Sequence, residues 1–243
     1  MQTRSMFSRL MTTSGLLLSC ATLVWGISLA ALAADAPRGV NIGDTRLIYN
    51  AGKKGISTEA VNNDPNPYLV QSWVEDGNGT RSTNFIITPP LFRLDGGKST
   101  RLRITQSGTL PGDRETVSWL VVRFVPPAST TKKESDNSLQ LSIRIRIKLF
   151  YRPEGLPGTP EMAGKALRWT RQGNDLVATN SGAYSVSLAG VRLGGKAISD
   201  GLLVQPKSAV RVPLKGPVLG QIVYGVINDF GGVKSYTQSL PNA

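Results

Sequence analysis

The sequence predicts an all-β protein built as two consecutive β-sandwich domains, and three observations carry that prediction. Short segments of strand period recur along the chain. No window holds a sustained 3.6-residue apolar stripe, and no long segment is rich in helix formers. A stretch dense in turn formers splits the strand-like segments into two series.

Residues 1–33 stand apart from both series. Arg4 and Arg9 form a basic start, an apolar run extends from Leu16 to Leu32, and Ala31-Leu32-Ala33 is a small-x-small cleavage signal. The segment is predicted to be a signal peptide cut after Ala33, with Met6 and Met11 as alternative starts. A membrane anchor is the competing reading, but Ser14, Gly15, Ser19, Cys20 and Gly26 interrupt the apolar character. Cys20 after Leu17-Leu18-Ser19 is a weak lipoprotein-like signal. Removing Arg4 and Arg9, with no acid, lowers the formal charge from +12 to +10. It also removes the single cysteine, so the mature chain enters an oxidising compartment without a thiol.

The first series, residues 34–155, contains Leu69–Val74, Phe85–Ile87, Arg101–Ile104 and a long apolar run from Thr116 to Val125 stopped by Pro126-Pro127. Its last segment runs from Ser138 to Phe150. The segment Glu154–Pro160, with Gly155, Pro157, Gly158 and Pro160, marks the boundary. The second series, residues 156–243, contains Ala166–Trp169, Asp175–Thr179, Tyr184–Leu193, Ser208–Leu214 and Gln221–Ile227. Each half carries a net charge of about +5 and neither is a basic tail, which fits two similar sandwiches better than a core with an appendage.

The segment from Leu139 to Leu149 alternates without a lapse. Leu139, Leu141, Ile143, Ile145, Ile147 and Leu149 face one way; Gln140, Ser142, Arg144, Arg146 and Lys148 face the other. At about 3.3 Å per residue this apolar comb is roughly 33 Å long, about twice an ordinary strand. One reading is an over-long strand filling its own core. The sharper reading offers part of the comb to another chain by β-augmentation, with the basic row shielding it.

Composition removes most chemistry. The chain has no histidine, and the mature chain no cysteine, so imidazole triads, thiol catalysis and His-containing metal sites are excluded. No phosphate-binding glycine motif is present. Glu115, Asp175, Asp200 and Asp229 are candidate acids for a glycosidase-like pair, but nothing in the sequence brings two of them to one cleft. Trp73, Trp119 and Trp169 lie in strand-like runs and are expected in cores, which argues against an aromatic nucleic-acid surface. No enzyme, cofactor, metal or nucleic-acid partner is expected.

Six segments resemble the periplasmic fimbrial (pilus-assembly) chaperones of the chaperone–usher pathway. They are Gly43–Tyr49, Pro67–Trp73, Thr88–Leu94, Leu110–Glu115, Ile147–Pro153 and Ile227–Gly232, in order over essentially the whole mature chain. The resemblance implies two immunoglobulin-like domains in a boomerang with an interdomain cleft. It implies that Arg46 and Lys148 anchor the C-terminal carboxylate of a pilus subunit, a sound use of two charge-assisted donors. It implies that Leu139, Leu141, Ile143 and Ile145 form a donor strand that completes the subunit's sandwich. It further implies that Glu115, Arg152 and Asp229 form an interdomain salt-bridge network, with the Arg152 guanidinium shared between two carboxylates.

The implied partners are pilus subunits and an outer-membrane usher, in the periplasm, with self-association shielding the strand when no subunit is bound. The approach Ala128–Asn137 is short and lacks a cysteine pair, which resembles the short-loop branch. Asn180-Ser181-Gly182-Ala183-Tyr184 lacks both prolines of the family's corresponding turn and predicts a looser one. A secreted two-domain structural or adhesive fimbrial component is the alternative; such a subunit would usually carry its donor segment near its mature N-terminus instead of mid-chain.

Overall fold

The computed structural model describes residues 38–127, 141–216 and 219–240. The leader 1–33, the approach Ala128–Asn137 and Leu139 lie outside the described residues. Among those described, the first series folds into β1 (Val40–Ile42), β2 (Arg46–Asn50), β3 (Ile56–Asn62), β4 (Tyr68–Glu75), β5 (Phe85–Thr88), β6 (Leu91–Leu94), β7 (Lys98–Gln106), β8 (Thr116–Val125) and β9 (Ile143–Arg152). Two sheets result, ordered β2-β9-β8-β4-β6 and β1-β3-β7-β5.

Period-2 patterning decides which side chains lie between the sheets. Val70 and Val74 of β4, Leu102 and Ile104 of β7, and Leu120, Val122 and Phe124 of β8 point inward and are buried. Arg101 and Arg103 alternate with the inward residues of β7 and are exposed. All pairings are antiparallel except β2 with β9, which run parallel in the register Arg46↔Lys148 through Asn50↔Arg152.

The second series forms a short helix α1 (Pro160–Lys165), then β10 (Arg168–Gln172), β11 (Asp175–Asn180), β12 (Val186–Leu193), β13 (Lys196–Val204), β14 (Ser208–Pro213), β15 (Gln221–Ile227) and β16 (Val233–Ser239). Its sheets are β13-β12-β15-β16 and β10-β11-β14. The core packs around Trp169, Leu176, Leu188, Leu193, Ile222 and Tyr224.

The helix lies in the stretch expected to be only a turn-rich break. Thr159 caps it by accepting from Met162 N at 3.2 Å, Pro160 opens it, and Glu161 and Lys165 suit its two ends. Six residues are too few to display a helical stripe. Gly164 is needed for close packing, since a Cβ there would lie 2.8 Å from Val226.

Two further expectations change. Trp169 is a core residue, but Trp73 and Trp119 are half-buried on the outer face of the five-stranded sheet, under arginine side chains. The turn after Asn180 is closely tied without its prolines. The Asn180 side-chain amide donates to Tyr184 O (2.8 Å), Val204 O and Gln205 O, and its carbonyl accepts from Gly182 N (3.0 Å).

Candidate functional site

The outer row of β9 reads Arg144, Arg146, Lys148, Phe150, Arg152, and the second sandwich covers only its later part. There the two sandwiches meet in a cleft lined by Arg46, Glu115, Phe150, Arg152, Ser185, Ser187 and Asp229. Arg46 opens β2 and is the register partner of Lys148, so both side chains leave the same face of the sheet beside the cleft.

Among the described residues, neither cation has a carboxylate paired to it. Lys148 Nζ donates to Ser187 Oγ at 3.1 Å and lies 5.8 Å from the Trp119 ring centre. Arg46 Nε is buried with no hydrogen-bond partner among the described residues. Burial holds the Lys148 ammonium below the usual lysine range, and the neighbouring Arg46 charge lowers it further. Burial likewise lowers Arg46, partly offset by the more distant attraction of Asp229. Two partly desolvated like charges side by side are costly alone and gain from a shared anion.

Arg152, four residues further along β9, is saturated instead. Its Nε and Nη2 donate to Glu115 Oε1 at 3.0 and 2.8 Å, and its Nη1 and Nη2 donate to Asp229 Oδ2 and Oδ1 at 2.7 and 3.1 Å. Glu115 Oε2 also accepts from Ser185 N at 2.9 Å, and Glu115 N donates to Ala183 O at 2.8 Å. Burial is the largest influence on the Glu115 carboxyl and lifts it above the ordinary range, while Ser185 and Arg152 pull it down. Burial alone would lower Arg152; its bonds and charge interactions with Asp229 and Glu115 outweigh that and raise it. Asp113 of the first sandwich and Lys207 of the second form a more exposed pair across the same junction.

The apolar comb divides along its length. Leu149 is fully buried and Ile147 nearly so, whereas Ile143 is 40% and Leu141 67% exposed, with Ile145 between. The backbone divides at the same place. β8 pairs with one edge of β9 from Ile143 to Tyr151, but β2 covers the other edge only from Lys148 onward. Among the described residues no strand pairs with that edge from Ile143 to Ile147. An open edge with projecting apolar side chains therefore ends where Arg46 and Lys148 stand.

Sequence reasoning missed Ser185 and Ser187, which carry no motif, and the Asp113–Lys207 pair. It also missed Glu75, which is buried beneath Arg144 and Arg146; the alternation Trp73-x-Glu75 opposite Arg144-x-Arg146 was the available signal.

Comparison with known proteins agrees with this architecture. Residues 39–157 match the family model of the pili and flagellar-assembly chaperone PapD N-terminal domain, and residues 162–238 match that of the pili assembly chaperone PapD C-terminal domain. The chain is 38% identical over 205 residues to the chaperone protein FimC of Escherichia coli O6:H1, covering 83% of this chain and 84% of FimC. It is 41% identical over 197 residues to the probable fimbrial chaperone LpfB of Escherichia coli O157:H7, covering 79% and 84%. The solved structure of the Salmonella enterica SafA pilin in complex with the SafB chaperone aligns with a TM-score of 0.77 at 35% identity, over 84% of this chain and 98% of the matched one. The chain belongs to the PapD family of pilus-assembly chaperones.

Proposed function

We propose that this protein is a periplasmic chaperone that binds pilus subunits by donating the open half of β9 and by anchoring the subunit's C-terminal carboxylate on Arg46 and Lys148. The observation that carries the reading is the coincidence of three features at one point. The unpaired edge of β9 stops at Lys148, β2 begins there, and the two unneutralised cations lie there.

Strand direction adds a constraint. β2 runs parallel to β9, so a strand placed in line with β2 on the free edge brings its C-terminus to Arg46 only if it also runs parallel to β9. Backbone hydrogen bonds to residues 143–147 then supply affinity, and Leu141, Ile143 and Ile145, preceded by Leu139, enter the subunit's groove. Each fully buried leucine or isoleucine contributes on the order of 2 kcal/mol before ordering costs, so the comb dominates affinity and the cations set position. Glu115, Arg152 and Asp229 serve architecture, fixing one sandwich against the other.

Within the same reading, residues 1–33 direct export, and the domains divide between residues 155 and 156. The loaded chaperone delivers its subunit to an outer-membrane usher. Without a subunit, the free edge is shielded by a second copy, because an open strand edge is itself a template for pairing.

The test is co-expression with the pilus subunits encoded beside it and recovery from periplasm. Arg46→Ala and Lys148→Ala each leave a folded, exported protein and lower the co-purified subunit by about tenfold or more, the scale of losing a charge-assisted bond. Undiminished subunit in both variants removes the carboxylate anchor from the mechanism.

A further inference from the structure

Arg144 and Arg146 belong to the open half of β9, yet their side chains do not extend freely into solvent. They lean across β8 to reach β4. Arg144 Nη2 bonds Glu75 Oε1, and its guanidinium lies 5.6 Å from the Trp73 ring centre. Arg146 Nε is 3.5 Å from Glu75 Oε2, with its guanidinium 4.2 Å from the Trp119 ring centre. Trp73 Nε1 donates to Glu75 Oε1 at 2.8 Å, and Arg81 stacks on Trp73 at 4.9 Å. Val121, the register partner of both Trp73 and Arg146, is small enough to let the arginines pass over β8.

Glu75 is the centre of this arrangement and is only 4% exposed. A carboxylate so buried is retained only with partners, and here both charged partners come from the same short stretch of β9. That stretch has one unpaired edge and projecting apolar side chains, which are the features of a strand end that frays.

We propose that Glu75, with Trp73 and Trp119, clamps Arg144 and Arg146 and so holds the open half of β9 extended and paired to β8 before any partner arrives. Glu75 is thus a positioning residue for strand donation. Its geometry stands alone, while its purpose rests on the donor-strand reading. A donor segment ordered in advance loses less freedom on pairing, so capture is faster and tighter. The basic row then has a second task beside shielding the edge, and its arginines cannot be exchanged for lysines without losing the stacking.

Glu75→Gln in the full mature chain tests this, because the amide keeps an acceptor for Trp73 and removes the charge that holds both arginines. In the free protein, hydrogen exchange across 141–147 speeds by about tenfold, while exchange in β3, β7 and the second sandwich stays as in the wild type. Capture of the subunit that co-purifies with the wild-type chain slows by about the same factor. Glu75 is too buried to touch a subunit, so a slower capture acts through β9.

Unchanged exchange across 141–147 overturns the clamp, and faster exchange with unchanged capture overturns its role in donation. If Glu75→Gln does not fold, the double variant Arg144→Gln/Arg146→Gln is measured for the same exchange, and wild-type protection across 141–147 in it also overturns the proposal. Failure of the donor-strand reading is recognised separately: capture then survives at Ile143→Asp, on the open half of β9, whatever Glu75 does.

Discussion

Three cations of one strand system have three fates. Arg152 is neutralised by two carboxylates, Arg146 is stacked and half-neutralised, and Lys148 keeps its charge beside Arg46 with a hydroxyl for company. The last condition predicts a pH effect with a definite sign. In the free protein burial and Arg46 depress the Lys148 ammonium, whereas a bound carboxylate stabilises its charged form. Binding therefore takes up a proton at alkaline pH, and affinity falls as pH rises through the free-protein value. Titrating subunit affinity from neutral pH to about pH 10 checks this. Lys148→Arg flattens the slope, since a guanidinium stays charged over that range.

At the scale of elements, legibility followed pattern strength. β8 and β15 were bounded from sequence because each is a predominantly apolar run between turn formers. β13 and β16 were not, because Lys196–Val204 and Val233–Ser239 are edge strands with at most one buried residue each and lack a clean alternation of buried and exposed positions. β9 was legible as a comb, but alternation alone does not say where burial stops; that depends on where β2 begins, a tertiary fact. The two tryptophans misled because an indole under an arginine looks, in sequence, like one in a core.

The divided comb yields a paired prediction. Ile147→Asp puts a charge in the first sandwich's core and lowers stability by several kcal/mol, on the order of 3 or more. Ile143→Asp leaves the unfolding midpoint near that of the wild type but abolishes subunit recovery. Thermal melts and pull-downs on both variants separate the two halves, and a large stability loss at Ile143 would make the whole comb core.

At the largest scale, the described residues form two sandwiches joined through the fully bonded Arg152. Arg152→Ala strands the buried Glu115 with one remaining side-chain bond, from Ser185 N, and leaves Asp229 unpaired. Removing one partner of a buried pair costs about 3–5 kcal/mol, here roughly 10 °C in Tm. Arg46→Ala removes a buried cation that lacks a carboxylate and leaves Tm unchanged or slightly higher. Calorimetry on the two variants distinguishes the architectural arginine from the binding one. The network was legible only through family resemblance, because Glu115, Arg152 and Asp229 are far apart in sequence and ordinary in type.

The parallel β2–β9 register also makes the cleft a measuring stop. If a cargo strand is seated by its final carboxylate against Arg46 and Lys148, every side chain upstream is counted from that end. Because a strand's faces alternate with period two, one added C-terminal residue turns the entire apolar row of the cargo away from the comb, whereas two added residues only slide it by one position. Tolerance to lengthened cargo is therefore governed by parity before chemistry, and a chaperone with few sequence-specific contacts can still reject a subunit that ends at the wrong place.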